Sequence, residues 1–243
     1  MPIWVDVAVE TAEQHHDLRA FLSALFDWTW DLGGPEMGYY SIASHDGSSV
    51  FGLAQNDGAR GVATTYFSTS TIERTVEQSV GLGASVTMPV TSVMDLGTMA
   101  LLNDPTGALF GLWQPGTFQG FGVAYEPNAP GWFDHVSPDP DVAARFYSTL
   151  SGHQASSPEP SMRILQNGEQ WYASLSQTQP GDAAHWQPIY VVDSLKRIHE
   201  VVPRHGGAIV IEEMPVPGSA LCVFSEPVNG TLMTVMAAGD HPS

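Results

Sequence analysis

Residues 104–116 read DPTGALFGLWQPG, and the prediction of the fold rests on this stretch. The four residues Asp-Pro-Thr-Gly separate two runs, 97–103 and 108–113, whose composition predicts strands. A related stretch, EPVNG, stands at residues 226–230, so that the glycine of the turn recurs 123 residues later. This recurrence indicates that the two halves of the chain share one architecture.

Three further sets of markers repeat in the same order and at similar offsets, between 121 and 128 residues. They are Trp4 and Asp6 with Trp132 and Asp134, Phe21 with Phe146, and Asp46-Gly47 with Asn167-Gly168. A faint but ordered echo of this kind is typical of an internal duplication.

The periodicity of apolar residues changes along each half. In the first half it predicts a strand at 3–9, a helix at 12–26 and strands at 38–44 and 48–54, and then the same order again at 62–68, 71–81, 97–103 and 108–113. Each half thus contains two β-α-β-β copies. We predict a first domain at 1–118, a linker at 119–130 that includes most of a Pro/Gly/Asn-rich stretch, a second domain at 131–238 and a tail at 239–243.

The 104–116 segment resembles the closing segment of proteins of the vicinal-oxygen-chelate superfamily, which includes glyoxalases, bleomycin-resistance proteins and dioxygenases. Together with Trp4-Val5-Asp6-Val7 and the Phe-x-x-x-Leu helix, the resemblance covers about residues 3–237. It implies an α+β fold of four βαβββ units in two tandem domains. Each domain is then a curled sheet cup with outer helices and a ligand inside, although such a fold does not fix the chemistry.

The resemblance also implies where a divalent metal would be bound. The three family positions fall on Asp6, Thr64 and Gly111 in the first domain, and on Asp134, Trp186 (with His185 beside it) and Thr234 in the second. The closing carboxylate is missing in both domains, and a metal site normally needs three or four ligands. We therefore predict no catalytic metal and no other cofactor.

The candidate catalytic residues are Asp6, Asp134 and His185. A carboxylate beside an indole in a partly dehydrated cup can serve as a general acid or base, although Asp6 could equally be a structural hydrogen-bond acceptor. His135 follows Asp134, so strand alternation favours a position in the core, whereas a register shift would bring it into the cup. His15 and His16 are expected to be solvated. The candidate ligand-binding residues are Trp4, Tyr66, Trp113, Trp132, Trp186 and Tyr190, some of which must belong to the core.

Composition restricts the partners. With 243 residues, 8 Lys and Arg against 26 Asp and Glu, the chain has a formal charge of −18, which argues against nucleic acid and anionic membranes as partners. Neither a signal sequence nor a long apolar run is evident, and this favours the cytoplasm. The single cysteine, Cys222, lies in an apolar run typical of a packed strand. We expect a small organic ligand and a monomer or homodimer.

Three hypotheses for function remain open from the sequence. The leading one is a metal-independent enzyme of the lyase, isomerase or cyclase type that acts on a small hydrophobic or aromatic metabolite. The second is a non-catalytic protein that binds a drug or metabolite. The third is a metal-dependent dioxygenase or glyoxalase that uses Asp134, His185 and a further ligand.

Overall fold

The computed structural model describes residues 1–56, 63–179 and 181–238, so the predicted tail at 239–243 lies outside the described residues. The elements in chain order are β1 (Pro2–Val9), α1 (Ala12–Phe26), β2 (Thr29–Leu32), β3 (Ser41–His45), β4 (Ser48–Gln55), β5 (Ala63–Ser68), α2 (Ile72–Gly81), β6 (Ser85–Val93), β7 (Gly97–Asn103), β8 (Leu109–Pro115), β9 (Pro130–Ser137), α3 (Pro140–Ser151), β10 (Gln154–Glu159), β11 (Met162–Asn167), β12 (Gln170–Gln177), β13 (His185–Val192), α4 (Leu195–Arg204), β14 (Ala208–Val216), β15 (Ser219–Ser225) and β16 (Leu232–Ala237).

The strands form two open eight-stranded sheets. Their orders are β2-β3-β4-β1-β5-β8-β7-β6 and β10-β11-β12-β9-β13-β16-β15-β14. This arrangement confirms the predicted α+β class and the four βαβββ units. Apolar periodicity missed β2 and β6, because both are edge strands that bury little surface and therefore show little alternation.

The contacts between residues divide the chain into two compact units. Unit 1 comprises the described residues within 1–4, 64–120 and 132–187, and unit 2 comprises those within 5–63, 121–131 and 188–238. Each unit therefore contains most of one βαβββ segment from each half of the chain. No helix of the described residues is long and apolar enough to span a membrane.

The helices that follow β1 and β9 begin at side-chain caps. The Thr11 side chain accepts a hydrogen bond from the backbone N–H of Gln14, and the Thr11 backbone N–H donates one to the side-chain oxygen of Gln14, so that a capping box starts α1. The carboxylate of Asp139 caps α3 in the same position. The predicted solvation of His15 is wrong: its side chain is buried, and one ring nitrogen lies 3.4 Å from the carbonyl oxygen of Leu53.

The core of unit 1 contains a buried polar cluster around Asp104. One carboxylate oxygen, Oδ2, accepts hydrogen bonds of 2.8 Å from His135 Nε2 and from the Tyr147 hydroxyl, which itself accepts one from Trp186 Nε1 at 2.8 Å. Oδ1 accepts the backbone N–H groups of Thr106 and Ala108. Asp104, the first residue of the Asp-Pro-Thr-Gly turn on which the fold prediction rests, is therefore the central hydrogen-bond acceptor of this core.

In unit 2, different side chains stand at the positions that correspond to the polar cluster of unit 1. Glu226 corresponds to Asp104, but its carboxylate accepts only backbone N–H groups of its own turn among the contacts described. Val7, Leu22 and Ala63 replace His135, Tyr147 and Trp186. A cavity of about 30 Å³ lies beside these smaller side chains, large enough for about one or two water molecules.

Candidate functional site

Strand β9 has two faces of different character. Phe133, His135 and Ser137 are fully buried on the face that packs against α3, whereas Trp132 and Asp134 point to the opposite face and are partly exposed. The prediction that His135 belongs to the core is confirmed. Asp134 is accordingly on the face opposite α3, with its carboxyl group largely buried.

The Asp134 carboxylate is bound by two hydroxyl groups of the neighbouring parallel strand. Asp134 and Ser174 are register partners on β9 and β12. Oδ1 of Asp134 accepts hydrogen bonds from the Ser174 hydroxyl at 2.6 Å and from the Ser176 hydroxyl at 2.8 Å. Trp132 Nε1 donates to Ser174 Oγ at 2.9 Å. We call the surface formed by Trp132, Asp134, Ser174 and Ser176 the Asp134 face.

Burial dominates the electrostatics of this group. Desolvation raises the pKa of Asp134 above its ordinary value, while the two serine hydrogen bonds and the nearby charges of His135 and His185 oppose that shift. A carboxyl group with a raised pKa exchanges protons closer to neutral pH, which suits general acid–base chemistry.

His185 and Trp186 are neighbours at the start of β13 and therefore point to opposite faces of the strand. His185 is exposed, and its Nδ1 lies 3.0 Å from the carbonyl oxygen of Ala183, the neighbour two residues back. Trp186 is 1% exposed and packs against His135 and Tyr147. Trp186, expected as a ligand-binding residue, is thus placed in the core instead.

The equivalent carboxylate of the first half has other partners. Asp6 is buried and is the register partner of Gly52, as Asp134 is of Ser174. The Tyr40 hydroxyl donates to Asp6 Oδ2 at 3.2 Å. A side chain at position 52 would have to displace this tyrosine, because an added Cβ would lie 1.9 Å from the Tyr40 oxygen.

The aromatic residues predicted to bind ligand in the first domain pack closely instead. Trp4, Tyr66 and Trp113 are each 8% exposed or less. The ring of Phe118 meets Trp4 edge to face, with centroids 4.8 Å apart, and its carbonyl oxygen accepts a hydrogen bond from Trp113 Nε1 at 3.0 Å. Little of the surface of these three side chains is therefore left for a ligand.

Tyr190, the last predicted ligand-binding residue, lies in the core of unit 2. Its ring packs against Phe26, Trp28 and Phe51, and it is 1% exposed. Burial, followed by the charge of Asp6, raises the pKa of its hydroxyl far above the ordinary value. Within the described part of the chain that hydroxyl has no hydrogen-bond partner, and it borders the unit 2 cavity.

The side chains present do not fit a metal of the kind that the family uses. Across residues 1–56, 63–179 and 181–238, no three His, Cys, Asp or Glu side chains form a group able to bind an ion. At the closing position of the first domain, Gly111 faces the ring of Tyr66, and an added Cβ would lie 2.2 Å from that ring. A glutamate there would require Tyr66 to move.

A scan against protein-family models found no match, but individual proteins share sequence with this chain. "Putative glyoxylase CFP32" of Mycobacterium tuberculosis is 28% identical over 97% of this chain and 94% of its own length. The anthracycline biosynthesis protein DauV of Streptomyces sp. (strain C5) is 30% identical over 62% of this chain and 60% of its own length.

Solved structures share the fold at much lower identity. The 2,3-dioxygenase LapB of Pseudomonas sp. KL28 superposes with a TM-score of 0.69 and 13% identity over 100% of this chain and 93% of LapB. A Mn(II)-bound glyoxalase of Novosphingobium aromaticivorans superposes with a TM-score of 0.68 and 15% identity over 97% and 81%. The fold defines a protein of four βαβββ units in two sheets. This is the fold that the resemblance to the vicinal-oxygen-chelate superfamily predicts.

Sequence reasoning missed three residues of the two carboxylate environments: Ser174, Ser176 and Tyr40. The serines could have been found, since the run Ala173-Ser174-Leu175-Ser176 alternates apolar and polar residues as a strand with one open face does. Tyr40 could not, because it precedes β3 in an irregular segment and reaches Asp6 only through the folded loop.

Proposed function

We propose that the chain is a metal-independent enzyme that moves a proton on a small, hydrophobic or aromatic metabolite, with Asp134 as the acid–base group. The observation that carries this proposal is the largely buried carboxylate of Asp134, a partly exposed residue, which is bound at Oδ1 by two serine hydroxyls, one of which accepts a hydrogen bond from Trp132. The names of the relatives, a glyoxylase and an anthracycline biosynthesis protein, support action on an organic metabolite.

The proposed chemistry needs no redox partner. Asp134 removes a proton from a carbon next to a carbonyl group, so that the C–H bond breaks and an O–H bond forms at the carboxylate. The electron pair of the broken bond moves into the conjugated carbonyl system. Return of the proton to a different atom gives an isomer. Expulsion of a leaving group from the adjacent carbon, with the proton of Asp134 transferred to that group, gives a lyase product. Attack of the carbanion on a second carbonyl group of the same molecule, with the proton transferred to the new alkoxide, gives a cyclic product.

Asp134 is preferred to Asp6 because of its surroundings. Asp6 lies 8% exposed beneath the Tyr40 hydroxyl, whereas Asp134 remains partly exposed and has a raised pKa. The first domain then has a structural role, since Asp6 and the aromatic residues Trp4, Tyr66 and Trp113 are buried.

The experiment is an assay of metal-depleted protein. The protein is dialysed against a chelator, split, and supplied with Fe²⁺, Mn²⁺, Ni²⁺, Zn²⁺ or buffer. Each sample is incubated with a library of planar aromatic ketones and analysed by mass spectrometry. We expect the same conversion with and without metal. Conversion only after metal addition would contradict the proposal, and quantitative recovery of bound but unchanged ligand would show a binding protein instead.

A further inference from the structure

The direction of each hydrogen bond on the Asp134 face follows from its donors. Trp132 Nε1 carries a proton and can only donate, so Ser174 Oγ must accept at that contact. The single proton of the Ser174 hydroxyl is then directed to Asp134 Oδ1, 2.6 Å away. Because Ser176 also donates to Oδ1, this oxygen receives two hydrogen bonds.

The second carboxylate oxygen, Oδ2, is in a different situation. No hydrogen bond to Asp134 Oδ2 is present from any residue in 1–56, 63–179 or 181–238. When Asp134 is neutral, its proton belongs on Oδ2, because both donors on Oδ1 are directed at a lone pair there. The charged groups that affect it are His135, which is bound to Asp104, and the exposed His185.

We propose that Asp134 exchanges its proton with the ligand through Oδ2, and that Trp132 is the positioning residue that fixes this orientation by donating to Ser174. This inference rests on the proposed function and deepens it. It also restricts the class of ligand, since the indole N–H is already used within the protein. The partly exposed ring of Trp132 can then offer only its apolar face, which suits a planar, uncharged molecule with a carbon acid or hydroxyl group at its edge.

Charge supports the same ligand class. The chain has a net charge of −18, and an ionised Asp134 would repel a carboxylate or phosphate placed at Oδ2. The contacts described on the Asp134 face include no Lys or Arg side chain. An uncharged ligand avoids that repulsion and needs no cationic partner.

The test compares Trp132→Phe, which keeps an aromatic ring and removes only the N–H, with Ser174→Ala. The pKa of Asp134 is measured by carbon-13 NMR of the carboxyl group in the intact protein, with the signal assigned from Asp134→Asn. We expect the pKa to rise by roughly 0.5 in Trp132→Phe, because Ser174 becomes a weaker donor, and by roughly 1 in Ser174→Ala. The control is Trp171→Phe, since Trp171 is 57% exposed near the β11–β12 hairpin and should leave the pKa unchanged.

The outcomes separate this inference from the proposed function. An unchanged Asp134 pKa in both Trp132→Phe and Ser174→Ala would overturn the inference, even if Asp134→Asn abolished turnover. Full turnover by Asp134→Asn would overturn the proposed function, whatever the pKa values. Ser174→Ala also serves as the second variant if Trp132→Phe does not fold.

Discussion

Asp6 and Asp134 occupy the same place in two copies of one strand pair, yet their surroundings differ. Asp6 is the register partner of Gly52, and Asp134 is that of Ser174. The missing side chain at Gly52 leaves room for Tyr40, which donates to Asp6, whereas Ser174 and Ser176 both donate to Oδ1 of Asp134. Both copies contain the carboxylate, and the residue at its register position differs together with the hydroxyl groups that bind it.

The cores of units 1 and 2 also contain equivalent carboxylates with different hydrogen-bond partners. In unit 1, Asp104 is surrounded by His135, Tyr147 and the turn that it caps. In unit 2, Glu226 satisfies its own turn, and smaller residues border a cavity. A carboxylate that recurs in both halves therefore need not have the same hydrogen-bond partners in each. Its function depends on those partners.

The largest expected effect comes from removing each carboxylate in turn. Asp134→Asn should lower turnover by about 10²–10⁴-fold, because an amide cannot accept or return the proton. Asp6→Asn, the matched change in the first half, should stay within about threefold of wild type, a difference in barrier below about 0.7 kcal/mol. Conversion of the planar ketone is measured by mass spectrometry. Equal losses in the two variants would show that the two positions are not specialised.

The next effect concerns stability rather than turnover. Asp104→Ala should lower the free energy of unfolding by about 3–5 kcal/mol, because His135 and Tyr147 would lose their buried acceptor. Urea denaturation followed by tryptophan fluorescence measures the change. A loss below about 1 kcal/mol would mean that water replaces the carboxylate without cost.

Gly52→Ser tests the steric part of the comparison, since it gives the first half the residue type of position 174. The added Cβ overlaps the Tyr40 hydroxyl, so that Tyr40 must leave Asp6, at a cost of about 1–3 kcal/mol. Gly81→Ser is the control, because a Cβ at Gly81 meets no atom within 4 Å. Both variants are compared by urea denaturation. Equal stability of the two would show that Tyr40 does not restrict position 52.

The smallest effect is the pH dependence of stability, and the carboxylates Asp134 and Asp104 should differ in sign. Because the pKa of Asp134 is raised in the folded state, Asp134 contributes fully to folding stability below the ordinary carboxyl pKa of about 3.9. This contribution is lost as the pH rises through the raised pKa. Burial tends to raise the pKa of Asp104, but His135, Thr106 and Tyr147 lower it, so its contribution is lost as pH falls. Unfolding at pH 3–8 of wild type, Asp134→Asn and Asp104→Asn measures both. If the free energy of unfolding changed with pH in the same way in all three proteins, the opposite signs expected for Asp134 and Asp104 would be contradicted.

Much of the architecture is predictable from the sequence, because strand and helix periodicities and the repeated turn are local signals. The alternation of apolar and polar residues along β9 is enough to predict that Asp134 and His135 lie on opposite faces of the strand. Trp186 and Tyr190 are predicted to contact a ligand, whereas the fold buries them. Residue type alone cannot distinguish an aromatic residue that lines a pocket from one that fills a core, since both settings favour the same apolar surface.

The partners of the carboxylates depend on contacts between distant segments, which no local pattern contains. Asp104 and His135 are 31 residues apart, and Asp6 and Tyr40 are 34 apart. The prediction that no metal is bound rests on absent ligands, and it stays a prediction. The assay of metal-depleted protein tests it.

The most direct test of the central claim is hydrogen–deuterium exchange of the ligand, followed by NMR in deuterated water with metal-depleted protein. A planar aromatic ketone that binds should gain deuterium at the carbon next to its carbonyl in the presence of wild type and Asp6→Asn, but not of Asp134→Asn. That pattern would identify Asp134 as the group that removes the proton. Deuterium gained at the wild-type rate with Asp134→Asn would contradict the account.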